Sequence, residues 1–259
     1  MNKADYGNWV PAALMRKAWI TVGILLVLWV LSFFLEKLPI KIILGIIFLL
    51  VLCFTVYMQK CRDVFSFNGG ALMGKMHEFL AEHLQWDGNG VLLDIGCGAG
   101  ALTIRCAERF PKARLVGMDY WGREWSYAKE QCEHNASVEG VSDRISFEKG
   151  DASMLKYPDN CFDAAVSNFV FHEVKAQPDK RLLVREALRV VKKGGAFAFQ
   201  DLFGQKQIYG DMCGFIDELK KEGITEIHYI PDVDKLDFVP SYVRAPWMIY
   251  RVGLIYGIK

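Results

Sequence analysis

Val91-Leu92-Leu93-Asp94-Ile95-Gly96-Cys97-Gly98-Ala99-Gly100 is the stretch on which the reading of this 259-residue chain turns. Val91, Leu92 and Leu93 form an apolar run of the kind a parallel strand shows when both of its faces are covered. The run ends in Asp94, and Gly96, Gly98 and Gly100 then alternate with other residues before a helical stretch begins near Ala101. Glycines at a strand-to-helix junction let backbone approach a ligand closely, and the first turn of the helix offers free N–H groups.

A dinucleotide loop is the natural competitor, but it has G-x-G-x-x-G spacing and cradles a diphosphate. Here the glycines run G-x-G-x-G behind a carboxylate. A carboxylate would repel a diphosphate but suits a cationic amino group, directly or through water. With these residues the loop resembles motif I of the class I S-adenosylmethionine (SAM) dependent methyltransferases. That resemblance implies SAM as cofactor, held by Asp94, Gly96, Cys97, Gly98 and Gly100.

The following segments keep the spacing of that family. Arg114-Leu115-Val116-Gly117-Met118 reads as a second strand ending in Asp119, an acid placed to take ribose hydroxyls. Tyr120 comes next and is positioned to cover an adenine face. Ile145 to Lys149 is a third strand, followed by Gly150-Asp151-Ala152. In the resembling family that acid and the next backbone N–H read the adenine edge. Phe162 to Val166 is a fourth strand running into Ser167-Asn168, and Asn168 is assigned to the cofactor site. A helix from Asp179 to Lys193, stopped by Gly194, precedes a fifth strand. The segment from Trp121 reads as a helix with Trp121 and Trp125 on one face. Ile224–Ile230 and Arg251–Ile258, with no crossover helix between them, read as an antiparallel pair. The expected fold is α/β, a Rossmann-like seven-stranded sheet with six parallel strands and an antiparallel last strand.

The amino-terminal quarter has a different character. Ala18 to Leu35 and Ile42 to Met58 carry no charged residue. At about 1.5 Å rise per residue each run spans roughly 26 Å, near the thickness of a bilayer core. The connector Glu36-Lys37-Leu38-Pro39-Ile40-Lys41 is short and holds a proline. A transmembrane helical hairpin over 18–58 is the expectation, with 1–17 an interfacial amphipathic segment whose Tyr6, Trp9 and Trp19 sit at the headgroups. Residues 59–90 read as a linker and lid helix, and 91–259 as the methyltransferase domain. Lys3, Arg16 and Lys17 before the first run, with Lys60 and Arg62 after the second, outnumber Lys37 and Lys41 between them. That bias places both ends, and the catalytic domain, in the cytosol of an integral protein of an inner or cell membrane.

Net charge is +1, which gives no general basic character. No N/D-P-P-Y-like tetrapeptide follows the fourth strand, where Ser167-Asn168-Phe169-Val170 stands, so nucleic acid is not expected as a partner. The seven cysteines are scattered, with no CxxC and no Cys/His cluster at metal spacing, and read as reduced residues; no metal is expected. His77 and His83 read as packing or surface residues.

Methyl transfer from a sulfonium needs alignment and exclusion of water, and a base only when the acceptor must lose a proton. His172 is the candidate base, with a structural role at a helix start as the alternative; Glu173 and Asp201 are the next candidates. An aromatic, proline-stiffened stretch with Phe238, Tyr242, Trp247, Met248 and Tyr250 reads as an acceptor wall, a membrane contact or a packed loop. The location favours a hydrophobic small-molecule or lipid acceptor. Two other classes remain: a non-catalytic SAM-binding membrane sensor or scaffold, and a dinucleotide-dependent membrane oxidoreductase.

Overall fold

A computed structural model describes residues 3–66, 71–122 and 129–259. The chain divides into two compact units, Gly7–Gly74 and a second made of Met1–Tyr6 with Lys75–Lys259.

The first unit is built on two helices. α1 (Ala12–Ser32) follows Pro11, and α2 (Leu38–Phe65) has Pro39 in its first turn, where a missing N–H costs nothing. The most apolar 18-residue windows have mean hydropathies of 1.8 and 2.7, and only 11% and 17% of those residues are buried. Both helices are long and apolar enough to cross a membrane, and their outward-facing side chains set them apart from core helices. Trp29 of α1 stacks on Phe48 of α2 at 5.4 Å, and its Nε1 donates to the Lys41 carbonyl at 3.1 Å.

The helices run past the charge-free stretches. Ala12-Ala13-Leu14-Met15 are strong helix formers with no breaker before Arg16, so residues 12–17 form the first turns of α1. Trp9 stacks on Phe65 at 5.7 Å, and Asn8 Nδ2 donates to the Arg62 carbonyl. Tyr6 belongs to the second unit, where its hydroxyl donates to Glu139 at 3.1 Å.

The second unit runs α3 (Leu72–His83, shared across the boundary), β1 (Val91–Ile95), α4 (Ala101–Arg109), β2 (Arg114–Asp119), α5 (Lys129–Val138), β3 (Ile145–Lys149), β4 (Phe162–Asn168), α6 (Lys180–Val190), β5 (Val191–Asp201), α7 (Lys206–Tyr209), α8 (Met212–Lys221), β6 (Glu226–Ile230) and β7 (Gly253–Ile258). The strands form one sheet in the order β3-β2-β1-β4-β5-β7-β6. β7 is antiparallel to both neighbours and the other six run parallel, as expected. Strand order reverses between β1 and β4, which opens a crevice at the carboxyl ends of those strands.

The core explains the strands. Leu93, Ile95, Phe162, Ala165, Phe197 and Phe199 pack with Leu183, Val184 and Leu188 of α6 and Phe215 and Leu219 of α8. Asp179 caps α6 by accepting from the Arg181 N–H. α6 ends at Val190, not at Gly194. Val191 already pairs with Phe162, and the next pair is Ala164 with Ala196, so Lys192–Gly195 is a bulge with Gly194 at φ +78°. Pairing with β4 has taken the β-branched Val191 out of the helix. His83 lies between the rings of Phe79 and Tyr256, at 4.4 and 4.9 Å, a packing position as expected.

Trp121 is not helical. It stands at φ +42°, and Trp125 lies outside the described residues. Trp121 is held out of helical geometry by two hydrogen bonds, one to the Asp119 carboxylate at the end of β2 and one to the Gly98 carbonyl in the loop after β1, described next.

Candidate active site at the sheet's switch point

β1 and β2 deliver Asp94 and Asp119 to adjacent strand ends, and the chain between β1 and α4 folds back over both. The N–H groups of Gly96 and Cys97 donate to the Met118 carbonyl at 2.7 and 3.1 Å. Gly96, Gly98 and Gly100 all have positive φ, so every second peptide of the loop is turned over. A Cβ on Gly96 would stand 2.2 Å from Val170 Cγ2, which leaves no room for a side chain.

Asp119 closes this loop. One carboxylate oxygen accepts from the Gly98 N–H at 2.9 Å and the other from the Trp121 N–H at 2.7 Å. Each oxygen keeps a further acceptor position. The loop carbonyls are held as well. Gly98 accepts from Trp121 Nε1 at 3.0 Å and from the Cys132 thiol at 3.1 Å, and Ala99 accepts from Asn135 Nδ2 at 2.9 Å.

Asp94 does not line the crevice. It is 1% exposed and accepts from the Thr103 hydroxyl at 2.6 Å. Burial pushes its carboxyl up to about 7, with the Thr103 hydrogen bond opposing and the Asp119 charge adding. In this conformation it ties β1 to α4 beneath the loop. Cys97 is buried, and burial together with the neighbouring Cys132 holds its thiol well above the usual range.

The remaining expected residues lie along the same edge. Tyr120 is 63% exposed, with the Lys149 ammonium 5.7 Å from its ring centroid. Asp151 uses one oxygen to accept from the N–H and hydroxyl of Ser153, which fixes the turn that presents Ala152. Asn168 ends β4 beside Gln200 of β5, whose Nε2 donates to it at 2.8 Å.

The pairing of β4 with β5 also brings His172 and Asp201 together. His172 follows β4 in a 3-10 turn over Phe171–Glu173, and Asp201 ends β5. His172 Nδ1 lies 2.6 Å from Asp201 Oδ1, and Nε2 lies 3.3 Å from Glu173 Oε1. Asp201, fully buried, also accepts from the Leu202 N–H at 2.6 Å. Burial opposes a charge on His172, but Asp201 and then Glu173 outweigh it and raise the imidazole to about 10. At neutral pH the ring is therefore an imidazolium, and the exposed Glu173 is the carboxylate of the trio within reach of solvent. Tyr209, buried, stands against Asp201, and burial first and that charge second push its phenol well up.

Sequence reading missed Thr103, Cys132, Asn135, Gln200 and Tyr209. Only Thr103 carried a local signal, a hydroxyl in the first turn of the helix behind the loop.

Residues 93–199 match the family model described as a methyltransferase domain. Residues 93–199 thus carry a methyltransferase domain, set on the sheet order and the switch-point glycine loop described above. Among curated proteins, Sterol 24-C-methyltransferase erg6 of Aspergillus fumigatus is 34% identical over 122 residues, 47% of this chain and 30% of that one. Methyltransferase GfsG of Streptomyces halstedii is 30% identical over 180 residues, 70% of this chain and 58% of that one. The chain thus spans less than two thirds of either relative. Among solved structures, that of the [4+2]-cyclase SpnF superposes with a TM-score of 0.55 at 20% identity, over 78% of this chain and 83% of that one. A fold shared with a cyclase does not define a reaction, so the chemistry has to come from the site.

The His172 geometry is directly testable. Imidazole resonances in the intact protein should titrate near 10. Asp201→Asn leaves burial in place and removes the larger attraction, so the value should fall by units, toward the ordinary 6.5 or below. Since the raised value is a folded-state property, stability from the pair is complete below 6.5 and is lost as pH rises through about 10. An unchanged titration in Asp201→Asn would show that the pair does not hold the proton.

Proposed function

We propose that the chain is a membrane-anchored methyltransferase that moves the methyl group of SAM to a hydrophobic small molecule or lipid. The observation that carries the reading is the Asp119 carboxylate at the switch point, which holds the glycine loop through the Gly98 N–H and keeps a further acceptor position on each oxygen. Asp119 would take the ribose hydroxyls, and the backbone of Gly96–Gly100 would follow the methionine portion. Tyr120 would cover the adenine, Asp151 and the Ala152 N–H would read its edge, and Asn168 would close the site beside Gln200.

SAM, when bound, supplies a methyl group already activated on a sulfonium, open to direct displacement. The chain's own residues position the acceptor and exclude water. His172 holds a proton on its ring at neutral pH, so it orients the Asp201–Glu173 pair instead of standing ready as a base. Glu173 is the carboxylate free to take a proton from an acidic acceptor. The trio carries a net negative charge, which favours positive charge near it during transfer.

α1 and α2 support the membrane reading, because they have the length and hydropathy of spans. The basic residues before α1 and after α2 outnumber those between them, which favours a hairpin with both ends on the cytosolic side. The acceptor class follows from that location, where lipophilic molecules partition, and from the sterol named in one relative.

Calorimetric titration tests the cofactor site. Asp119→Ala should weaken SAM binding by about 1–3 kcal/mol through lost hydrogen bonds. Unchanged affinity in the folded variant would remove Asp119 from the site.

For the membrane reading, alkaline carbonate washing should leave the full chain with the membrane. Cysteine reporters replacing Lys3 and Lys60 should be modified from the same face. Modification from opposite faces would refute the hairpin.

A further inference from the structure

We propose that Asn135 is a positioning residue for the cofactor loop, and that the short strap before the membrane helices, through the backbone of Asp5, is its partner. The inference rests on the cofactor reading above and extends it to residues far from the glycine loop in sequence.

Asn135 lies on α5 with no exposed surface. Its Oδ1 accepts from the Asp5 N–H at 2.9 Å, and its Nδ2 donates to the Asp5 carbonyl at 2.8 Å and the Ala99 carbonyl at 2.9 Å. Both amide hydrogens and the amide oxygen are thereby used. One buried side chain clamps the backbone of Asp5 from both sides and holds a loop carbonyl at the same time. Gln131 Nε2 donates to the same Asp5 carbonyl at 2.6 Å, and the Tyr6 hydroxyl donates to Glu139 in the turn after that helix. The strap is thus attached to α5 and the turn behind it by three side chain–backbone bonds and a side-chain pair.

The consequence for the loop comes from peptide geometry. In a trans peptide the C=O and the following N–H point in opposite directions. Trp121 and Cys132 hold the Gly98 carbonyl, which turns the Ala99 N–H the opposite way. Asn135 holds the next carbonyl, so the Ala99–Gly100 peptide is fixed too. Loss of the strap would leave Asn135 with a buried oxygen and one N–H unpaired. The amide would then rotate to find water, and the grip on Ala99 would loosen. The helical unit begins at Gly7, directly after the strap.

The test uses the full-length protein in detergent micelles, with SAM as the titrant. Asp5→Pro removes the N–H that Asn135 accepts and should raise the SAM dissociation constant roughly 5- to 30-fold, the size expected for one or two lost buried hydrogen bonds. The melting temperature should change little, because the sheet core is untouched. Lys3→Pro places the same ring two residues before that contact and should bind as the parent does. Asn135→Ala should weaken binding at least as much as Asp5→Pro, and the double substitution should be no worse than Asn135→Ala alone. A merely structural strap predicts instead that affinity falls only in step with melting temperature, and additively. Asp5→Pro binding SAM as tightly as Lys3→Pro and the parent would overturn the proposal while leaving the cofactor reading intact. A parent protein that binds no SAM would overturn both.

Discussion

The catalytic unit depends on one carboxylate. Asp119 accepts the N–H of Gly98 with one oxygen and that of Trp121 with the other, and so fastens the loop after β1 to the end of β2. Hydrogen bonds to an ionised acceptor are worth about 1.5–3 kcal/mol each, more than the neutral bonds around them. The bonds from Gly96 and Cys97 to the Met118 carbonyl reinforce the same junction. Everything the site needs follows from this closure: the start of α4, the alternating peptides of the loop, and the partly satisfied acid at the crevice. Asp94 supports it from beneath through Thr103 and has no surface of its own.

The second centre is built by strand pairing. Asn168 is in register with Gln200, so the residues just beyond, His172 and Asp201, meet across the ends of β4 and β5. With one carboxylate on each ring nitrogen, the attraction outweighs the burial of His172 and raises its imidazole above the ordinary range.

Much of this was legible in the sequence, for reasons that also explain what was not. β1, β2, β4 and the second half of β5 are apolar runs that stop at Asp, Gly or Asn, because central parallel strands are covered on both faces and their ends carry the site, whereas β3 at the sheet edge alternates apolar and polar residues. Their order in a sheet followed from the glycine loop and the acids at its spacing. Gly194-Gly195 misled because a bulge and a helix stop ask for the same residue. Trp121 and Trp125 fit a helical face by spacing, yet the indole N–H of Trp121 was bound to a carbonyl of the glycine loop, a contact across 23 residues that no local pattern reports. Asn135 had no signal at all, since a polar residue in a polar stretch of helix gives no indication of which side is buried. His172 and Asp201 were each singled out, but their meeting depended on a register that single-strand patterns do not contain. Tyr6 read as an interfacial aromatic because its neighbours are basic and aromatic, and no local pattern reports its hydrogen bond to Glu139 in the turn after α5.

The account rests on the glycine loop and Asp119 forming one binding surface. Amide hydrogen exchange of the full-length protein with and without S-adenosylhomocysteine tests this most directly. Binding should slow exchange in two separate stretches, Gly96–Gly100 and Asp119–Trp121, with NADH producing no such change. Slowed exchange in neither stretch, or the same pattern with NADH, would contradict the claim that this switch point is a SAM site.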